Sequence, residues 1–104
     1  LAKGQIGIAH LFATRQMHGS NLVVTTHELL HTLGATDKYD PRNGLPLFPE
    51  GYAEPALNPR LPQQFAEIMG GRIPVDESQA EIPASLGATL IGSQTAHEIG
   101  WIKD

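Results

Sequence analysis

The stretch His27-Glu28-Leu29-Leu30-His31-Thr32-Leu33-Gly34-Ala35-Thr36-Asp37 decides how the rest of the chain is read. Residues four apart on a helix lie one turn above each other, so the imidazoles of His27 and His31 reach one ion at the ~2.0–2.1 Å of zinc–nitrogen bonds. Glu28 sits beside them on nearly the same face. It can touch a metal-bound water without taking a coordination position, which is where a general base belongs. A catalytic zinc takes a third protein ligand and keeps a fourth position open. Gly34 can adopt the positive φ that ends a helix, and the turn would return Asp37 to the metal. Asp37 also suits a local turn or cap, since Asp is common there for hydrogen-bonding reasons. In a chain of this composition an accidental His-Glu-x-x-His is expected roughly 0.02 times, and roughly 10⁻⁴ times once Gly and a further Asp or His are required.

Working outward, Gly19-Ser20-Asn21 supplies turn chemistry and an N-cap, and Leu22 to Leu33 runs without Pro or Gly until Gly34. The spacing predicts a helix of about three turns. Leu22, Leu29, Leu30 and Leu33 fall on one broad side, with Val24, His27, Glu28 and His31 on another. Upstream, Gln5 to Ala13 is apolar and β-branched, and reads as a strand containing His10. His10 and His18, in the following connection, read as structural or solvated.

Downstream, six of the eight prolines lie between Pro41 and Pro62, with Gly44 and Gly51. Neither helix nor strand survives such interruption, so this is a long loop and a candidate wall of a cleft. Asp40, Asn43 and nearby carbonyls offer oxygens for Ca²⁺, without the full twelve-residue pattern of an EF-hand. Tyr39 and Tyr52 read first as buried phenols with a satisfied hydroxyl. Phe65 to Gly71 reads as a short ordered piece ending in a tight turn, in which Met69 by itself is adaptable core filler. Ser93 to Ile99 reads as a capped final helix stopped by Gly100, with Trp101 as a core anchor. His97-Glu98 repeats half of the metal pattern, but position 101 is Trp, so the dipeptide reads as surface.

The 104 residues are 40% hydrophobic and carry no Cys, which suits one small α+β domain spanning residues 1–104. Without thiolates, a metal must be held by imidazole and carboxylate. The net charge of −4 with no basic run gives nucleic acid nothing to bind. No apolar stretch approaches the roughly 18 residues of a membrane span.

Residues 27 to 37 resemble the zinc motif of the metzincin metallopeptidases, and the Asp variant is similar to small snapalysin-type bacterial neutral proteases. Ile68-Met69-Gly70, 38 residues beyond His31, resembles the methionine turn beneath the metal in that clan. Ser93 to Trp101 resembles its closing helix. The resemblance implies a reduced zincin core: N-terminal strand, zinc helix, Pro-rich loop, Met-turn and C-terminal helix. Metzincins place a mixed sheet and a long helix before the zinc helix, whereas 26 residues precede His27 here. That leaves open a reduced domain, an upstream continuation, or strands supplied by another copy. Some metzincins carry a Tyr two residues after the turn methionine. Position 71 is Gly, so oxyanion stabilisation falls to zinc and another group. In gluzincin peptidases a Glu on a separate element completes the site, and Glu54 and Glu67 are candidates for that role.

The function these features imply is a zinc-dependent endopeptidase acting on a peptide or protein substrate. Zn²⁺ would be held by His27, His31 and Asp37, with Glu28 as general base. Residues 5–13 would offer an edge strand to the substrate, and Leu47, Phe48 and Tyr52 would wall the pocket after the cleaved bond. The alternatives are a zinc-stabilised binding or regulatory domain without catalysis, and a peptidase kept latent by a segment that caps the metal.

Overall fold

A computed structural model describes residues 19–101 of the chain. The strand expected at Gln5–Ala13, with His10, and the connection bearing His18 lie outside the described residues.

Helix α1 spans Gly19–Thr32, beginning three residues earlier than the apolar periodicity alone marks. Leu22, Val23, Thr26 and Leu30 form its buried side, while Leu29 and Leu33 are 40% and 51% exposed. The expected all-leucine stripe is therefore replaced by one at i, i+1, i+4 and i+8, which keeps phase with the 3.6-residue turn. Leu33 drops out because the helix has already ended. Its amide and that of Gly34 close tight turns onto Leu30 and His31, and the Ala35 amide bonds back to the Leu30 carbonyl at 2.9 Å. Gly34 has φ of 109°, and a Cβ there would stand 2.9 Å from the Glu98 carbonyl oxygen. Both the backbone conformation and the close approach of the final helix require glycine at this position.

Residues 41–62 contain no helix or strand, as the prolines dictate. The loop is nonetheless tied down. Isolated bridges join Tyr39 to Pro46 and Tyr52 to Ala66, the Leu47 amide bonds to the Lys38 carbonyl at 2.9 Å, and Gly51 packs so tightly on Lys38 and Leu47 that no side chain would fit. The buried Gln63 bonds to both the amide and the carbonyl of Glu54 and to the Arg60 carbonyl.

Beyond the loop, β1 (Ala66–Glu67) pairs in parallel with β4 (Thr89–Leu90), Ala66 opposite Thr89. Strands β2 (Ile73–Pro74) and β3 (Ala80–Glu81) form an antiparallel pair. A 3₁₀ turn at Leu86–Ala88 precedes β4, and α2 spans Ser93–Glu98. The architecture is α+β. Its core gathers Leu22, Val23 and Leu30 of α1 with Ala35, Ile68, Met69, Leu86, Ile91 and Ala96, and Ile99 packs against them.

Two expectations about the C-terminal helix are corrected. Gly92, not Ser93, is the N-cap residue and gives no side-chain cap; the Gly92 amide instead donates to the Glu67 carboxylate at 2.7 Å. Trp101 is 45% exposed rather than a core anchor. Gly100 turns the chain at φ 83°, and the Trp101 amide folds back onto the Ala96 carbonyl at 2.9 Å, a left-handed helix end that sends the indole outward. Ile99 takes the core position instead. No helix among the described residues is long and apolar enough to cross a membrane.

Candidate metal centre

The ligand atoms of His27, His31 and Asp37 lie within 4.8 Å of one another. Asp37 Oδ1 is 2.9 Å from His27 Nε2 and 2.8 Å from His31 Nε2, and the two imidazole rings stand edge to face, 4.8 Å between centroids. Helix α1 supplies both histidines one turn apart, and the turn at Gly34 brings Asp37 up against them. The arrangement expected from the eleven-residue stretch is the one the backbone produces.

The other ring nitrogens determine which atoms are available for a metal. His27 Nδ1 lies 2.9 Å from the Ile68 carbonyl oxygen and His31 Nδ1 lies 2.9 Å from that of Ala35. A carbonyl can only accept, so each Nδ1 carries the proton and donates it. A ring that is neutral then turns its Nε2 lone pair toward Asp37, while a protonated ring donates to the carboxylate instead. Two imidazole nitrogens and a carboxylate oxygen thus converge on one point, an arrangement that could hold a cation. Backbone carbonyls on the non-ligating nitrogen are also the usual orientation device for metal-binding histidines. The donor set of two imidazoles and a carboxylate fits zinc.

The site opens to solvent: the Asp37 and His31 side chains are 44% and 32% exposed, and that of His27 is 15% exposed. Glu28 is exposed on α1 beside His27. Tyr39, half-buried, holds its ring 6.5 Å from that of His27. Asp37 shares a groove of about 540 Å³ with Leu47, Phe48, Glu50, Gln94 and Glu98. Tyr52 lines an adjoining groove that shares Glu50 and Gln94, and its ring meets Phe48 edge to face at 5.2 Å.

The alternative third ligands are placed elsewhere. Among the described residues, His27, His31 and Asp37 are the one group with ligand-type atoms close enough for a metal, and neither Glu54 nor Glu67 belongs to it. Glu67 is fully buried, and its carboxylate accepts from the Met69, Gly70 and Gly92 amides at 2.6, 3.1 and 2.7 Å. Burial raises its carboxyl above the ordinary range against the opposing pull of these amides and the Thr95 hydroxyl. It organises the turn after β1 rather than a metal. Met69 is fully buried in the core, and the neighbouring Ile68 supplies the carbonyl that orients His27. The oxygens considered for calcium are engaged within their own turn: Asp40 takes the Arg42 guanidinium and amide, and Asn43 takes the Leu45 amide.

Glu98, read from the sequence as surface, is instead deeply engaged. Its carboxylate accepts from the Thr36 amide and hydroxyl at 2.9 and 3.0 Å and from Lys38 Nζ at 2.6 Å, while the Lys38 side chain is only 5% exposed. Burial raises the Glu98 carboxyl, but hydrogen bonds from Lys38, Thr36 and Gln94 outweigh it and hold the group at about 2. No sequence signal marks this cluster, because its members lie about sixty residues apart and neither follows a periodic pattern. No family model, curated protein or solved structure matches the chain.

Proposed function

We propose that this chain is a zinc-dependent peptidase, similar in its site to the metzincins, with His27, His31 and Asp37 as ligands and Glu28 as general base. The observation that carries the reading is the convergence of two Nε2 atoms and a carboxylate oxygen, each imidazole held in orientation by a backbone carbonyl. Exposure of the site favours catalysis over a purely structural metal. Structural zinc sites are closed by four protein ligands, whereas among the described residues this group offers three, and the Asp37 and His31 side chains are partly exposed.

Zinc bound there supplies a Lewis acid that polarises a carbonyl and brings the pKa of water toward about 7. The protein supplies the rest. Glu28, exposed and adjacent to His27, takes a proton from the attacking water and later delivers it to the departing amine. Tyr39, with its ring centroid 6.5 Å from that of His27, is our candidate for the donor to the developing oxyanion. The groove that Asp37 shares with Leu47 and Phe48 would take an apolar substrate side chain next to the cleaved bond, with Glu50 in its lining favouring a basic neighbour.

The deciding experiment measures zinc by calorimetry and cleavage of a peptide library by mass spectrometry, in the wild type and in Glu28→Gln. The wild type is expected to bind one zinc and to cleave. Glu28→Gln should retain zinc and lose at least about a hundredfold in kcat/KM. Turnover in that variant equal to wild type would overturn the mechanism, and a wild type without zinc affinity would overturn the site.

A further inference from the structure

We propose that Glu98 is a positioning residue for the metal centre: held on the last turn of α2, it clamps Thr36 and Lys38, the two chain neighbours of Asp37, and so decides whether the third ligand is presented. The inference rests on the metal-site reading above. Asp37 lies in a segment without helix or strand, and its position depends on what fixes the residues on either side.

On the N-terminal side, the Thr36 amide and hydroxyl both donate to Glu98, at 2.9 and 3.0 Å. On the C-terminal side, Lys38 Nζ reaches Glu98 Oε1 at 2.6 Å and also the Thr36 carbonyl at 2.9 Å. One carboxylate thus cross-links residues 36 and 38 and leaves the side chain of 37 pointing at the histidines. Lys38 Nζ also donates to the Thr36 hydroxyl at 3.3 Å, and the Lys38 backbone ties to the Met69 carbonyl through its amide and to the Leu47 amide through its carbonyl, both at 2.9 Å. The backbone ties hold the far end of the segment but not Thr36.

The clamp is itself anchored. Thr95 and Ala96 bury α2 against the core, the Gly34 turn packs on the Glu98 carbonyl, and the Gly92 amide bonds to Glu67. Glu67 in turn holds the Met69 and Gly70 amides, beside the Ile68 carbonyl that orients His27. Helix α2 therefore braces both sides of the metal centre, the histidine side through Glu67 and the Asp37 side through Glu98. Groups that orient metal ligands in this way typically change metal affinity by 10–100-fold when removed.

The test is a zinc-affinity cycle on the full chain, comparing wild type, Glu98→Gln, Asp37→Ala and the double variant. Glu98→Gln is expected to weaken zinc binding about tenfold or more, and cobalt substituted in that variant should show an altered visible spectrum because a ligand is no longer held. In the Asp37→Ala background the same Glu98 change should leave zinc affinity unchanged, since the residue acts through Asp37. As a control for an unpaired Lys38, Glu98→Gln is also paired with Lys38→Met, which removes both charges together; with its fold checked by circular dichroism, this variant should bind zinc as weakly as Glu98→Gln alone, and wild-type affinity in it would overturn the clamp. Wild-type affinity in Glu98→Gln would overturn the clamp and leave the metal site standing. An equal loss with and without Asp37 would also overturn it, by showing a general structural effect. Absence of zinc binding in the wild type would overturn both readings.

Discussion

A histidine four residues from another is a metal ligand only if its rings are turned the right way, and here single backbone carbonyls do the turning. Ile68 and Ala35 each take an Nδ1 proton, which frees both Nε2 atoms for one partner. Asp37 is the residue whose role the sequence left open, between ligand and turn-former, and its carboxylate lies within hydrogen-bond distance of both rings. Tyr39, read from the sequence as a buried phenol, is half-buried with its ring centroid 6.5 Å from that of His27. Tyr39→Phe is expected to lower kcat by about 10²–10³, as loss of an oxyanion donor does, while zinc affinity stays at the wild-type value. Steady-state kinetics alongside zinc titration separates the two, and an unchanged kcat would assign the oxyanion to another group.

At the scale of the element, the turn at Gly34 joins α1 to Asp37 and also receives the final helix. Gly34→Ala forces an L-residue to φ 109° and sets its Cβ against the Glu98 carbonyl. Stability is expected to fall by about 1–3 kcal/mol, read from urea midpoints, with zinc affinity falling in parallel because Asp37 follows the turn. An alanine variant as stable as wild type would mean the turn relaxes without disturbing α2. The two acids that anchor α2 give opposite pH dependences. Glu98 is held near 2 against an ordinary 4.5, so its contribution is complete above about 4.5 and is lost as pH falls toward about 2. Glu67 is raised by burial, so its contribution is complete below its ordinary range and is lost as pH rises through the raised value. Between about pH 5 and pH 2.5 the wild-type midpoint should therefore fall more steeply than that of Glu98→Gln, and parallel curves would contradict the depressed value.

Among the described residues the core is small: nine buried apolar residues with Ile99 against them, around strands of two residues each. A metal that bridges α1 to the segment at Asp37 should stabilise such a fold strongly. At free zinc a hundredfold above the dissociation constant the gain is about 2.7 kcal/mol, or about 10 °C or more in Tm for a domain of this size. A chelator should reverse the shift in a thermal scan, and Asp37→Ala should reduce it; a Tm indifferent to zinc would exclude a bridging metal. Much of this molecule was legible in sequence because the signals are local. The helix, its stop at Gly34, the convergence of His27 and His31 and the irregular Pro-rich loop all follow from 3.6-residue geometry and from what Pro and Gly do to their own backbone. Glycine at 34 and aspartate at 37 already implied a returning chain. What only the tertiary structure decided rests on partners far apart in sequence: that Glu67 serves three amides instead of a metal, that Trp101 turns outward while Ile99 packs inward, and that Glu98 grips Thr36 and Lys38 across some sixty residues. A buried charge is acceptable only where its counter-ion and amides are brought to it, and no local pattern records where folding will bring them.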